Sequence, residues 1–209
     1  MNQRLRRTWV PILLAFACSE HALAGGGPFG IDHELSFDNS GIWKRSDQLF
    51  VQDFLIVGEI AAALWEGGDS RLGKTFWQAI DSSALAGISA QGMKYAFGRA
   101  RPSQGNNPNA WFKGSQYQSF PSGEVAAVSS IVQPFVFEYH ADSPAVYALE
   151  LLPIYDSVAR MKSQAHWQSD VIAGYALGGL TAYYAHNRDN PFFLGLLPHG
   201  FYAGFKKDF

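Results

Sequence analysis

Three short stretches of this 209-residue chain hold residue types able to act together on an anion. In "KYAFGRARP", Lys94 and Arg101 are seven residues apart, two turns of a helix. That spacing predicts that both cations point the same way before Pro102 ends the helix. In "FPSGE", Ser122 is a natural N-cap, and the exposed N–H groups at such a helix start bind phosphate-like anions. In "ARMKSQAHWQSD", His166 and Asp170 are four apart and are expected to share a helix face, with Arg160 in the connection before them. A carboxylate beside an imidazole fixes its tautomer and prepares it as a nucleophile or base. Taken singly, each stretch has a plainer reading: a solvated cation pair, an ordinary capped helix, a structural His–Asp pair. Together they describe phosphoryl transfer, in which Lys94, Arg101 and Arg160 bind the phosphoryl oxygens, the helix start adds N–H donors, and His166 attacks phosphorus. The set lacks an acid for the leaving oxygen. Glu124, at that helix start, has an ordinary pKa of about 4.3 and the wrong charge for an anion site.

Helices must position these residues. In "QDFLIVGEIAAALWEGG", Phe54, Val57, Ala61 and Leu64 fall on one helix face, and the pattern stops at Gly67-Gly68. A second helical pattern covers residues 70–98, with a break expected near Asp81-Ser82-Ser83. A Gly/Pro/Asn/Ser-rich loop follows, long enough to suggest function, with Trp111, Phe112, Tyr117 and Phe120 as either a substrate entrance or packing. A third helix starts at Ser122 with Val125, Val128, Ile131, Val132 and Phe135 on one stripe, and a fourth covers residues 144–162. The last, over residues 167–186, carries Gly174, Gly178 and Ala182 at intervals of four, a thin face that lets a neighbour approach closely. Strand signals are scarce, so the expected fold is all-α, a compact bundle of about five or six helices.

The bulk composition excludes several functions. With 47% hydrophobic and 16% charged residues and a net charge of -2, the chain has no basic tract to bind nucleic acid. Arg4, Arg6 and Arg7, the apolar run Val10 to Ala17, and Ala22-Leu23-Ala24 read as an export signal cleaved near Ala24. The mature protein is then a single domain over residues 25–209, secreted or periplasmic. The one cysteine, Cys18, would be lost with the signal, and with it disulfide and thiol chemistry. Beyond the signal no uninterrupted run of apolar residues reaches the length of a bilayer span, because Asp53 and Glu59 punctuate the first helix; the expectation is no membrane span. Residues 25–44 read as an irregular lead-in, and the aromatic tail "PFFLGLLPHGFYAGFKKDF" shows no pattern.

The order Lys-x6-Arg-Pro, then Pro-Ser-Gly, then Arg-x5-His-x3-Asp resembles the type 2 phosphatidic acid phosphatases. They share this pattern with bacterial class A acid phosphatases and vanadium-dependent haloperoxidases. The resemblance covers about residues 64–186 and itself implies a helical bundle. It implies that Lys94, Arg101 and Arg160 grip phosphate, that Ser122 and Gly123 add hydrogen bonds, and that His166, oriented by Asp170, forms a phosphohistidine. No metal is implied, and vanadate only under the haloperoxidase alternative. The substrate would be a phosphorylated small molecule or a lipid phosphate. Two positions depart from the pattern: Ala159 replaces a serine, and Glu124 replaces the histidine that serves the family as general acid. A catalytically weak phosphate-binding protein is therefore the alternative to a working phosphatase.

Overall fold

The computed structural model describes residues 25–188, 195–197 and 200–202. The expected export signal, Cys18 included, lies outside these residues, as does most of the aromatic tail. The helices are α1 (Arg45–Glu66), α2 (Arg71–Phe97), α3 (Gly123–Tyr139), α4 (Leu151–Lys162) and α5 (Gln168–His186). Short 3-10 turns lie at Pro28–Gly30, Gly41–Trp43, Pro102–Gln104 and Pro144–Glu150. β1 (Gly195–Leu197) and β2 (Gly200–Tyr202) form a small antiparallel ribbon, which the tail's composition did not signal. The architecture is the expected all-α bundle.

α3 forms its centre. Val125, Val128, Ile131 and Val132 are buried, and α3 packs on α5 and α2. The thin face of α5 is the seam with α3. A Cβ on Gly174 would come 2.4 Å from the Ser122 carbonyl oxygen, and one on Gly178 would come 2.5 Å from that of Ala126. Glycine at these positions brings the second and third turns of α5 against the start of α3. Val125, Met161 and Val171 tie α3, α4 and α5 into one buried apolar cluster, each side chain contributing roughly 1.5–3 kcal/mol on burial.

Two sequence expectations are corrected. α2 is continuous through Asp81-Ser82-Ser83. Ser82 Oγ meets Thr181 Oγ1 on α5 at 3.1 Å, and Ser83 Oγ donates to Glu59 Oε1 on α1 at 2.9 Å. These hydroxyls therefore join helices instead of breaking one. α2 also ends earlier than Pro102 requires. Gly98, at φ 44°, donates its N–H to the Lys94 carbonyl and closes the helix, so Lys94 and Arg101 do not share a helix face. The apolar stripe of α1, whose direction the periodicity left open, faces outward: Phe54, Val57 and Leu64 are 66%, 65% and 54% exposed, while Gln48, Glu59 and Ala63 face inward. With Glu59 turned inside, α1 is long and apolar enough to cross a membrane, and the interruptions in its sequence do not exclude that.

Candidate active site

An arginine that the sequence reading passed over organises the site. Arg99, just after the αL residue that closes α2, is fully buried. Its Nη1 donates to Asp170 Oδ1 at 2.5 Å and Ser169 Oγ at 2.7 Å, and its Nη2 to Asp32 Oδ2 at 2.5 Å and the Pro108 carbonyl at 2.7 Å. The guanidinium lies 4.3 Å from the Trp111 ring, which packs edge-on against Phe97 and Phe120. Trp111 and Phe120 are thus packing residues, whereas Phe112 is exposed. Asp32, in the apparently irregular lead-in, also accepts from the Ser169 backbone N–H at 2.7 Å. One guanidinium therefore fastens the lead-in and the long loop to the start of α5.

Asp170 sits in the first turn of α5, and His166 precedes the helix, so the two do not pair as neighbours on one helix face. Asp170 Oδ2 accepts from Ser119 Oγ at 2.5 Å and from the Trp167 N–H at 2.9 Å. His166 Nδ1 lies 2.7 Å from the Ser119 carbonyl oxygen and 3.8 Å from Asp170 Oδ2. A carbonyl only accepts, so Nδ1 carries the proton and Nε2 keeps its lone pair. Asp170 acts on the imidazole partly through Ser119, whose hydroxyl it holds and whose carbonyl orients the ring. Burial pulls the His166 pKa down to about 4, although Asp170 opposes the shift, so the ring is neutral at physiological pH. Burial raises the Asp170 pKa, but His166, Arg99 and Ser119 outweigh it and hold the carboxyl below its ordinary value.

The residues expected to cradle an anion lie across the start of α3. Ser122 donates its N–H to the Asp170 carbonyl at 2.9 Å. It stands at the N-cap as expected, but its hydroxyl does not cap: Oγ is buried without a hydrogen-bond partner among the described residues. A Cβ on Gly123 would come 3.3 Å from Lys94 Cε, so glycine leaves room for the lysine across the helix start. Lys94 Nζ donates to the Gln118 carbonyl at 2.7 Å. Burial, then the nearby Arg101, lower its pKa to about 8. Arg160 belongs to the last turn of α4 and not to the connection beyond it; it is nearly fully buried, and its Nε likewise lacks a hydrogen-bond partner. Arg101 is half-buried after α2, and burial lowers its pKa, with Glu124 opposing. Lys94, Arg101 and Arg160 come from three separate segments and still share one electrostatic neighbourhood with His166 and Glu124.

Glu124 is held by a residue no motif contains. Arg45, at the start of α1, donates Nη1 to Glu124 Oε2 at 2.5 Å and Nη2 to Oε1 at 2.7 Å. Arg160 Nε is 3.6 Å from the same Oε2. Burial raises the Glu124 pKa, but Arg45 and Arg160 outweigh it, so the group lies below the ordinary carboxylate range and is ionised. Asp156, one turn before Arg160, is buried, and burial followed by Glu124 pushes it up to about 7. Arg99 had a faint sequence signal, a second arginine in "GRARP". Arg45, 79 residues from Glu124, had none.

The sequence profile of the PAP2 superfamily matches residues 75–192. A lipid A 1-phosphatase of Porphyromonas gingivalis is 30% identical over 115 residues, which cover 54% of this chain and 24% of that protein. The match thus spans about a quarter of the relative's length. No solved structure matches. The matched segment contains Lys94, Arg101, Ser122, Gly123, Glu124, Arg160, His166 and Asp170, and begins beyond Asp32 and Arg45.

Proposed function

The chain belongs to the PAP2 superfamily, and from that membership and the site geometry we propose that it is a phosphatase acting on phosphomonoesters through His166. The observation that carries this reading is a buried, neutral imidazole whose Nδ1–H is committed to the Ser119 carbonyl, in the field of Lys94 and Arg160. Ser122 Oγ and Arg160 Nε, buried and without a hydrogen-bond partner among the described residues, are ready donors for phosphoryl oxygens. His166 Nε2 attacks phosphorus and the bond to the leaving oxygen breaks, giving a phosphohistidine whose positive ring faces the Ser119 carbonyl and Asp170. Water then attacks phosphorus, the P–N bond breaks, and the imidazole returns neutral. The proton of that water leaves on the released phosphate. Glu124, held ionised by Arg45, cannot protonate the leaving oxygen in the first step, so the site suits leaving groups that depart as anions.

One observation favours a second reading, phosphate binding with little turnover: the ion pair that keeps Glu124 deprotonated. Within the phosphatase reading, two observations favour a lipid phosphate: the relative that is a lipid A 1-phosphatase, and the exposed apolar side of the helix whose first turn reaches Glu124.

Assays on p-nitrophenyl phosphate, an alkyl phosphate and a lipid phosphate in mixed micelles separate these readings. For the aryl ester, kcat/KM is expected to rise as His166 loses its proton near pH 4 and to fall as Lys94 loses its charge near pH 8. A rate confined to acid pH would instead make protonated Glu124 the working acid. The alkyl ester is expected to react roughly 10²–10⁴-fold more slowly than the aryl ester, the cost of a missing general acid. Glu124→His should recover much of that deficit while changing the aryl rate little. Phosphate binding without hydrolysis of any ester, with turnover appearing in Glu124→His, selects the second reading.

A further inference from the structure

We propose that Arg45 is a positioning residue for this site: its two-pronged grip on Glu124 holds a carboxylate away from the phosphate cradle. The inference rests on reading the His166 cluster as a phosphate site. Glu124 follows Gly123 at the helix start that receives the anion, and without a partner its charge would compete with phosphate for the same cations. Arg160 Nε is already within 3.6 Å of Glu124 Oε2. Glu124 also acts electrostatically on Lys94 and Arg101. Arg45 takes both carboxylate oxygens in parallel, the geometry that makes a guanidinium–carboxylate contact strong and directional.

The first turn of α1 is built to hold this arrangement. The Arg45 backbone N–H donates to Asn39 Oδ1 at 2.7 Å, which pins the helix start independently of the arginine side chain. One turn on, Gln48 is buried, and its Nε2 donates to the Trp43 carbonyl at 2.8 Å, which fixes the amide. Its Oε1 therefore faces both guanidiniums, 3.4 Å from Arg45 Nη1 and 3.3 Å from Arg160 Nη1. Gln48 spaces two like charges that would otherwise repel, and Glu124 lies between them as their shared counter-ion. α1 thus supplies a wall of the site from outside the segment matched by the family. With the Glu124 charge neutralised by Arg45, the charges of Lys94, Arg101 and Arg160 remain available to phosphate.

The test is the affinity for inorganic phosphate, measured by titration calorimetry at neutral pH on the full chain, with melting curves for each variant. Arg45→Ala is expected to weaken binding roughly tenfold or more, because Glu124 is released toward Arg160. Arg45→Ala/Glu124→Gln is expected to return to within about threefold of Glu124→Gln, since the competing charge is gone. Arg45→Lys keeps the charge but not the fork; it should fall between wild type and Arg45→Ala, and it carries the same rescue test should Arg45→Ala melt early. Unchanged affinity in Arg45→Ala, or a double variant as weak as the single, overturns the proposal. The second result would make Arg45 a direct phosphate ligand or a structural residue, and the phosphatase reading would stand. A wild-type protein with no affinity for phosphate would remove both.

Discussion

His166→Ala is expected to reduce hydrolysis of an activated aryl phosphate by at least about 10⁴-fold while leaving phosphate binding largely intact. The two effects separate because the proposed nucleophile and the proposed cradle are different groups. Lys94, Arg101, Arg160 and the start of α3 do not depend on the imidazole for their positions. Lys94 is held by the Gln118 carbonyl, Arg160 by Gln48, and the Ser122 N–H by the Asp170 carbonyl. Loss of binding in parallel with turnover would show that His166 is part of the scaffold instead. Asp170→Asn is a poorer test, since Asp170 also receives Arg99, Ser119 and the Trp167 N–H.

Arg99→Met has the largest expected effect on folding. The substitution keeps most of the apolar length but removes a cation from between two fully buried carboxylates, Asp32 and Asp170. Breaking a buried ion pair from one side costs about 3–5 kcal/mol, because the remaining charges stay buried and uncompensated. In a chain of this size that lowers the melting temperature by roughly 10 °C. Activity should fall with it, since Asp170, Ser119 and the imidazole are positioned in sequence from this guanidinium. Arg99→Lys should recover little, because one ammonium cannot serve Asp32, Asp170, Ser169 and the Pro108 carbonyl from a single point. Thermal melting of the three proteins checks this; a stable Arg99→Met would mean that the two carboxylates find other partners.

The sequence pointed to Lys94, Arg101, Ser122, Gly123, Arg160, His166 and Asp170 as candidates, but not to Arg99, Arg45 or Asp32, and not to the way these groups meet. Lys94 and Arg101 were expected to converge by helical spacing. Gly98 ends that helix, and the two cations, now on separate segments, still act on one another electrostatically. His166 and Asp170 were read as a turn-spaced pair, but the helix begins between them, and the Ser119 carbonyl takes the place expected for Asp170 at Nδ1. The bundle itself was readable because helical periodicity is local and the Gly174–Gly178 spacing announces a close neighbour. Periodicity does not say which face meets water. The stripe on α1 could equally have been core, and only packing shows that Gln48, Glu59 and Ala63 form the inner side. Arg45 and Asp32 left no signal because each acts through a partner on a distant segment of the chain.

The most direct test of the central claim is chemical capture of the intermediate. The protein is mixed with an aryl phosphate, quenched in base, where phosphohistidine survives, and mapped by mass spectrometry, with His166→Ala alongside. Phosphate on the His166 peptide of the wild-type protein, and none on any peptide of the variant, is the expected result. Turnover that persists in His166→Ala, or phosphate carried by another side chain, would contradict it.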